Sequence, residues 1–94
     1  MLVNKPKVAA YRAPGAPQTM HAFECALDEA AIELGMDPID LRLANAAKQG
    51  TQAPYGPKFP VIGFVECLQA AKAHPNYQAP VPEGAGRGLS LIHI

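Results

Sequence analysis

Apolar residues recur at three- and four-residue steps from Met20 through Phe23, Leu27 and Ala30 or Ala31 to Leu34. Glu24, Asp28, Glu29 and Glu33 fall mostly off that stripe. The spacing predicts an amphipathic helix from Pro17 onward, since a 3.6-residue period places such apolar positions on one face. Pro17 suits the first turn, where a missing N–H costs nothing. Gly35 is a natural stop, with Met36 placed to fold back on the last turn as the apolar contact of a Schellman-type end. The four acids, opposite the stripe, are expected to face solvent or a domain surface rather than to work as paired catalytic carboxylates.

Asp37-Pro38-Ile39-Asp40 restarts a helix. Asp37 can accept from the exposed first-turn amides, Pro38 is pre-set for the first position, and Asp40 complements the helix dipole. Ile39, Leu43 and Ala46 or Ala47 supply the expected buried side, and Lys48 with Gly50 marks the expected end. Residues 51–62 carry Pro54, Gly56, Pro57 and Pro60 around Tyr55 and Phe59. They read as an ordered crossing loop held by its aromatics. A third helix is expected from Gly63 or Phe64 to His74, with Phe64, Leu68 and Ala71 on one face and Pro75 closing it. Residues 75–88 are turn-rich. In the lead-in of residues 1–10, Val3 and Val8-Ala9-Ala10 suit a strand that Pro6 limits.

Composition bounds the picture without sharpening it. The chain has 94 residues, with eight Lys and Arg against eight Asp and Glu and no formal net charge. A chain of that length buries only about 60% of the surface its unfolded form exposes, so its own core is modest. Zero net charge gives no electrostatic case for a nucleic-acid partner or an anionic membrane surface. The first ten residues lack the apolar run of a signal peptide, and no stretch is apolar enough to span a membrane. Cys25 and Cys67, at no zinc-like spacing and inside expected helices, read as small buried core residues of a cytoplasmic protein. A metal site from His21, Cys25, Cys67 and His74 is weighed against that reading and set aside.

The segment Tyr11-Arg12-Ala13-Pro14-Gly15-Ala16-Pro17-Gln18 differs in kind from the rest. Two prolines and a glycine fix an irregular turn at the start of a helix, where free amides and the positive end of the dipole can face an anion. A single arginine stands beside it. The plain alternative is a solvated arginine next to a proline-rich helix start. Glu83-Gly84-Ala85-Gly86-Arg87-Gly88 lacks the lysine and following helix of a phosphate-binding loop.

That eight-residue segment, followed by Phe23-Glu24, Leu27-Asp28-Glu29, Glu33-Leu34-Gly35-Met36-Asp37-Pro38 and Leu41-Arg42, resembles the molybdenum-binding subunit of the xanthine dehydrogenase and aldehyde oxidase family. The resemblance runs from about Asn4 to Gly88 and keeps order and spacing. It implies an α+β fold: an internal fragment of the molybdopterin-binding domain over residues 1–88, with about three helices and short strands at the two ends, one of them starting at Arg87-Gly88. It implies hydroxylation of an aldehyde or N-heteroaromatic carbon with water-derived oxygen. The cofactor would be molybdenum-molybdopterin, in the cytosine dinucleotide form common in bacterial relatives. 2Fe-2S clusters and FAD would sit on other domains or subunits of the complete enzyme.

By the same resemblance Arg12 lies against the cofactor, largely through backbone contact, and Ala13 occupies the position that is a copper-bridging cysteine in carbon monoxide dehydrogenases. Without that thiolate the copper chemistry is not expected. Pro14 stands at the substrate-facing position, where purine-hydroxylating relatives carry an aromatic ring, so a stacked purine is disfavoured while other heterocycles and aldehydes remain. Gly15 permits close backbone approach. Gln18 either reaches a cofactor oxygen or simply serves the first turn. The family's general base, a glutamate in a Gly-x-Gly-Glu element, has no match in this chain, so no catalytic residue is assigned.

Leu89-Ser90-Leu91-Ile92-His93-Ile94 is what CTG TCT CTT ATA CAC ATC encodes, a transposase adapter used in sequencing libraries, and residues 89–94 are expected to be read-through rather than native sequence. The competing functional reading is a small helical interaction module that docks a partner on its apolar stripes without catalysis.

Overall fold

The computed structural model describes residues 13–90. Four helices follow one another: α1 (Ala16–Leu34), α2 (Pro38–Asn45), α3 (Phe64–Ala73) and α4 (Pro75–Gln78). Each packs on its neighbour in sequence, α1 on α2, α2 on α3 and α3 on α4. The expected lead-in strand, with Val3 and Val8-Ala9-Ala10, lies outside the described residues.

Local chemistry sets the boundaries. Gly35 takes the left-handed conformation at φ 63°, and its N–H together with that of Met36 returns to the last turn, Met36 N to Ala31 O at 2.9 Å. This is the Schellman end that the Gly-Met pair predicts. Two residues later Asp37 caps α2, its Oδ1 accepting from the amides of Ile39 at 2.8 Å and Asp40 at 3.2 Å, with Pro38 opening the helix. α1 and α2 are thus joined by a connection too short to do anything but turn.

Several expectations are corrected. α2 ends at Asn45, short of the expected Lys48 and Gly50, as Ala46 goes extended. Its buried residues are Ile39, Leu41 and Arg42, with Leu43 only half-buried. Pro75 does not merely close α3. The His74 ring nitrogen accepts from the Asn76 amide at 3.1 Å, and the single turn of α4 begins on Pro75. No strand forms at Arg87-Gly88 among the described residues, which hold only an isolated bridge between Gln52 and Lys58. A strand needs a neighbouring strand to satisfy its backbone, and the described residues offer none; the Arg87 guanidinium donates to the carbonyls of Tyr77 at 2.7 Å and Ala79 at 2.6 Å.

The apolar core is small: Ala31, Ile39, Leu41, Ala53 and Leu68. The apolar stripe of α1 is partly uncovered: Met20 and Leu27 are half-buried, while Phe23 is 55% and Leu34 63% exposed. The two cysteines, expected inside, are both exposed. The crossing loop is ordered as expected but for a different reason. Gly50 N donates to Phe59 O, Phe59 N to Thr51 O and Ala53 N to Pro57 O, all within 2.9–3.0 Å, so the loop is held by its backbone, while Tyr55 stands 76% exposed.

Candidate functional site

The turn that precedes α1 winds through two left-handed residues. Ala13 sits at φ 58° and Gly15 at φ 83°, with the Ala16 amide closing the turn on Ala13 O at 3.1 Å. For an alanine that backbone costs about 1–2 kcal/mol, because its Cβ crowds the following carbonyl. Glycine at 15 avoids the same cost. Gly15 is the N-cap, and it brings no side chain to satisfy the first amides; Thr19 Oγ1 instead donates back to Gly15 O at 3.0 Å. The first turn carries no acidic residue and opens on a proline. Among the described residues the first turn itself therefore supplies no carboxylate to compensate the helix dipole.

Ala13, Pro14, Gly15 and Gln18 are brought together on this exposed turn, and a Cβ added at Gly15 would meet nothing within 4 Å. Among the described residues nothing obstructs an anionic group approaching the backbone at Gly15. Arg12 and Tyr11 lie outside the described residues. An open pocket of about 380 Å³ runs from Pro17 along α1, past His21 and Cys25, to Glu24 and Asp28, with Gly88 to Ser90 on its other side. The Cys25 sulfur lies 3.9–4.0 Å from the two ring nitrogens of His21.

Glu24, one of the acids expected to face solvent or a domain surface, is buried at 5% exposure. Its partner is Arg42 of α2, whose Nε and Nη2 both donate to Glu24 Oε2, at 2.9 and 2.5 Å. The same guanidinium donates to Asp28 Oδ1 at 2.9 Å and to Pro38 O at 2.9 Å. Burial by itself works against the charged guanidinium, but the hydrogen bonds to Glu24 and Asp28 overcome it and raise the Arg42 pKa above its ordinary value. The sequence did hold a signal: an arginine between Leu41 and Leu43 on a short helix, and two acids four residues apart on the preceding one.

A second polar chain links α4 to the start of α2. Tyr77 Oη donates to Asp37 Oδ2 at 2.9 Å, the Arg87 guanidinium lies 5.4 Å from the Tyr77 ring centroid, and Lys72 pairs with Asp40. Burial pushes the Asp37 carboxyl up, but the Tyr77 hydroxyl and the Asp40 and Ile39 amides outweigh that and leave it below its ordinary value. Burial and the Asp37 carboxylate both raise the Tyr77 phenol.

Comparison with known proteins bears on the turn and the helix that follows it. The family model described as the molybdopterin cofactor-binding domain matches residues 1–46. The xanthine dehydrogenase molybdenum-binding subunit of Escherichia coli is 41% identical over 70 residues, 73% of this chain and 9% of that protein. The aldehyde oxidoreductase of Megalodesulfovibrio gigas is 41% identical over 85 residues, 90% of this chain and 9% of that protein. The nicotinate dehydrogenase large molybdopterin subunit of Eubacterium barkeri is 36% identical over 70 residues, 73% of this chain and 16% of that protein. The chain thus spans less than a fifth of the length of these relatives. No solved structure matches it.

Proposed function

The chain belongs to the xanthine dehydrogenase and aldehyde oxidase family of molybdenum-binding subunits, and from that premise we propose that its 13–18 turn forms one wall of a molybdenum cofactor site. The observation that carries the reading is the start of α1: an exposed, left-handed turn without a capping side chain or a first-turn acid, inside the residues that match the cofactor-binding family. These residues fit a group bearing anionic oxygens, which uncapped helix amides attract.

In this reading Gly15 keeps the backbone open to the cofactor, Ala13 holds the turn in its left-handed shape, and Gln18 offers an amide side chain one turn into the helix. Arg12 lies against the cofactor. Pro14 faces the substrate, and its small saturated ring favours aldehydes or compact N-heterocycles over a stacked purine. The bound cofactor, in its cytosine dinucleotide form, supplies the redox chemistry by which the whole enzyme hydroxylates an aldehyde or N-heteroaromatic carbon with water-derived oxygen. 2Fe-2S clusters and FAD on other domains or subunits would serve as the electron acceptors of the complete enzyme. The assembly works in the cytoplasm.

The test is a chimera in which the matched stretch of the M. gigas aldehyde oxidoreductase is replaced by that of this chain. The chimera is expected to load molybdenum, and Gly15→Val or Arg12→Met to lower both metal content and turnover. Unchanged metal content and turnover in both variants would overturn the assignment.

A further inference from the structure

We propose that Arg42 is a positioning residue for the 13–18 turn, fixing the rotation of α1 by gripping Glu24 and Asp28 on successive turns while it holds the Pro38 carbonyl of α2. The inference rests on the reading of that turn as a cofactor wall. α1 is nineteen residues long, yet it buries only Glu24 and Ala31. Its apolar stripe sets its orientation only weakly by packing: Met20 and Leu27 are half-buried, and Phe23 is 55% and Leu34 63% exposed. A helix with one fully buried apolar residue, Ala31, and only half-covered neighbours on its stripe can roll. What resists the roll is a planar fork whose side chain is 2% exposed, meeting carboxylates at 2.5 and 2.9 Å that are four residues apart and therefore stacked on one face.

The same face carries the turn's geometry outward. The pocket that begins at Pro17 ends at Glu24 and Asp28, so a rotation of α1 about its axis swings the turn's amides by the same angle as it swings these carboxylates. Gly15 contributes no side chain that could anchor the turn locally. Direction at the turn is thus set two helical turns away. Lysine cannot substitute, because a point charge does not span two carboxylates and a carbonyl at once.

The design that separates positioning from stability replaces the buried pair by apolar groups of similar size, Glu24→Leu with Arg42→Met, a change that commonly leaves stability intact. A second variant, Arg42→Lys, keeps the charge. In the 94-residue chain, spin labels on the native Cys67 of α3 and on a cysteine replacing Gln18, with Cys25→Ser, report the distance between turn and scaffold, and circular dichroism reports folding. The parent is expected to give a narrow distance distribution, and both variants a broader one at unchanged helicity.

In the chimera, both variants are expected to lose molybdenum several-fold. Unbroadened distances in Arg42→Lys would overturn the proposal, as would broadened distances with full molybdenum content. If Gly15→Val and Arg12→Met both keep their molybdenum and turnover, the cofactor reading falls by itself, and the distance measurement still decides whether Arg42 orients α1.

Discussion

The Tyr77 hydroxyl reaches forty residues back along the chain to donate to Asp37 Oδ2, while Asp37 Oδ1 caps α2. One carboxylate therefore closes the end of one helix and docks another. Its pKa lies below the ordinary 3.8, so its contribution to stability is complete above that value and is lost as pH falls through the lowered one. The Tyr77 phenol is raised above the ordinary 10.0, so its contribution is complete below that value and is lost as pH climbs through the raised one. Tyr77→Phe is expected to cost about 1 kcal/mol at neutral pH and to move acid unfolding to higher pH. Unfolding followed by circular dichroism across pH measures both; an unmoved acid midpoint would count against the pairing.

Breaking the buried ion pair from one side should hurt far more than any surface change. Arg42→Ala removes the guanidinium that meets the buried Glu24 carboxylate, and a loss of about 3–5 kcal/mol is expected. Asp28→Ala removes a partner that is 33% exposed, and about 0.5 kcal/mol is expected after solvent screening. Urea unfolding of the two variants gives the comparison directly, and equal losses would mean that the Asp28 contact, not the buried Glu24 one, carries the effect of the guanidinium.

Leu68 on α3 is fully buried, whereas Phe23 keeps more than half its surface. Leu68→Ala should cost about 2–5 kcal/mol, by lost transfer energy and the cavity left behind. Phe23→Ala should cost well under half as much in this chain. The order of the two thermal midpoints tests where the core lies.

Both thiols should titrate with a colorimetric thiol reagent in the folded state, without denaturant, since Cys25 and Cys67 are exposed. A thiol that reacts only after unfolding would contradict the observed surface.

What was legible in the sequence is what short-range chemistry writes. Gly35 followed by Asp37-Pro38 dictates a left-handed stop and a capped restart, and both are found. Phe64 to Ala73 shows its period and its buried Leu68. Glu24 was misplaced because helix periodicity sorts residues by polarity, and its burial depends on an arginine eighteen residues away that only folding brings near. The cysteines were misplaced for the opposite reason: a general preference for burial was applied to helices whose outer faces this chain leaves uncovered. The short α4 was missed because a proline that ends one helix can equally begin the next. The candidate turn was legible as a shape, since prolines and glycine impose it. Arg12 rests on resemblance alone.

The crossing loop has a practical side. Its bonds run between its own two limbs, Gly50 and Thr51 to Phe59 and Ala53 to Pro57, and only Ala53 is buried. Beyond the last of those bonds, Pro54 to Gly56 touches neither the ion pair nor the helix caps, and Tyr55 at the tip stands in solvent. A peptide tag or fluorophore spliced in at that tip would leave the helices undisturbed, which makes it the natural handle for immobilising the protein with the α1 turn free.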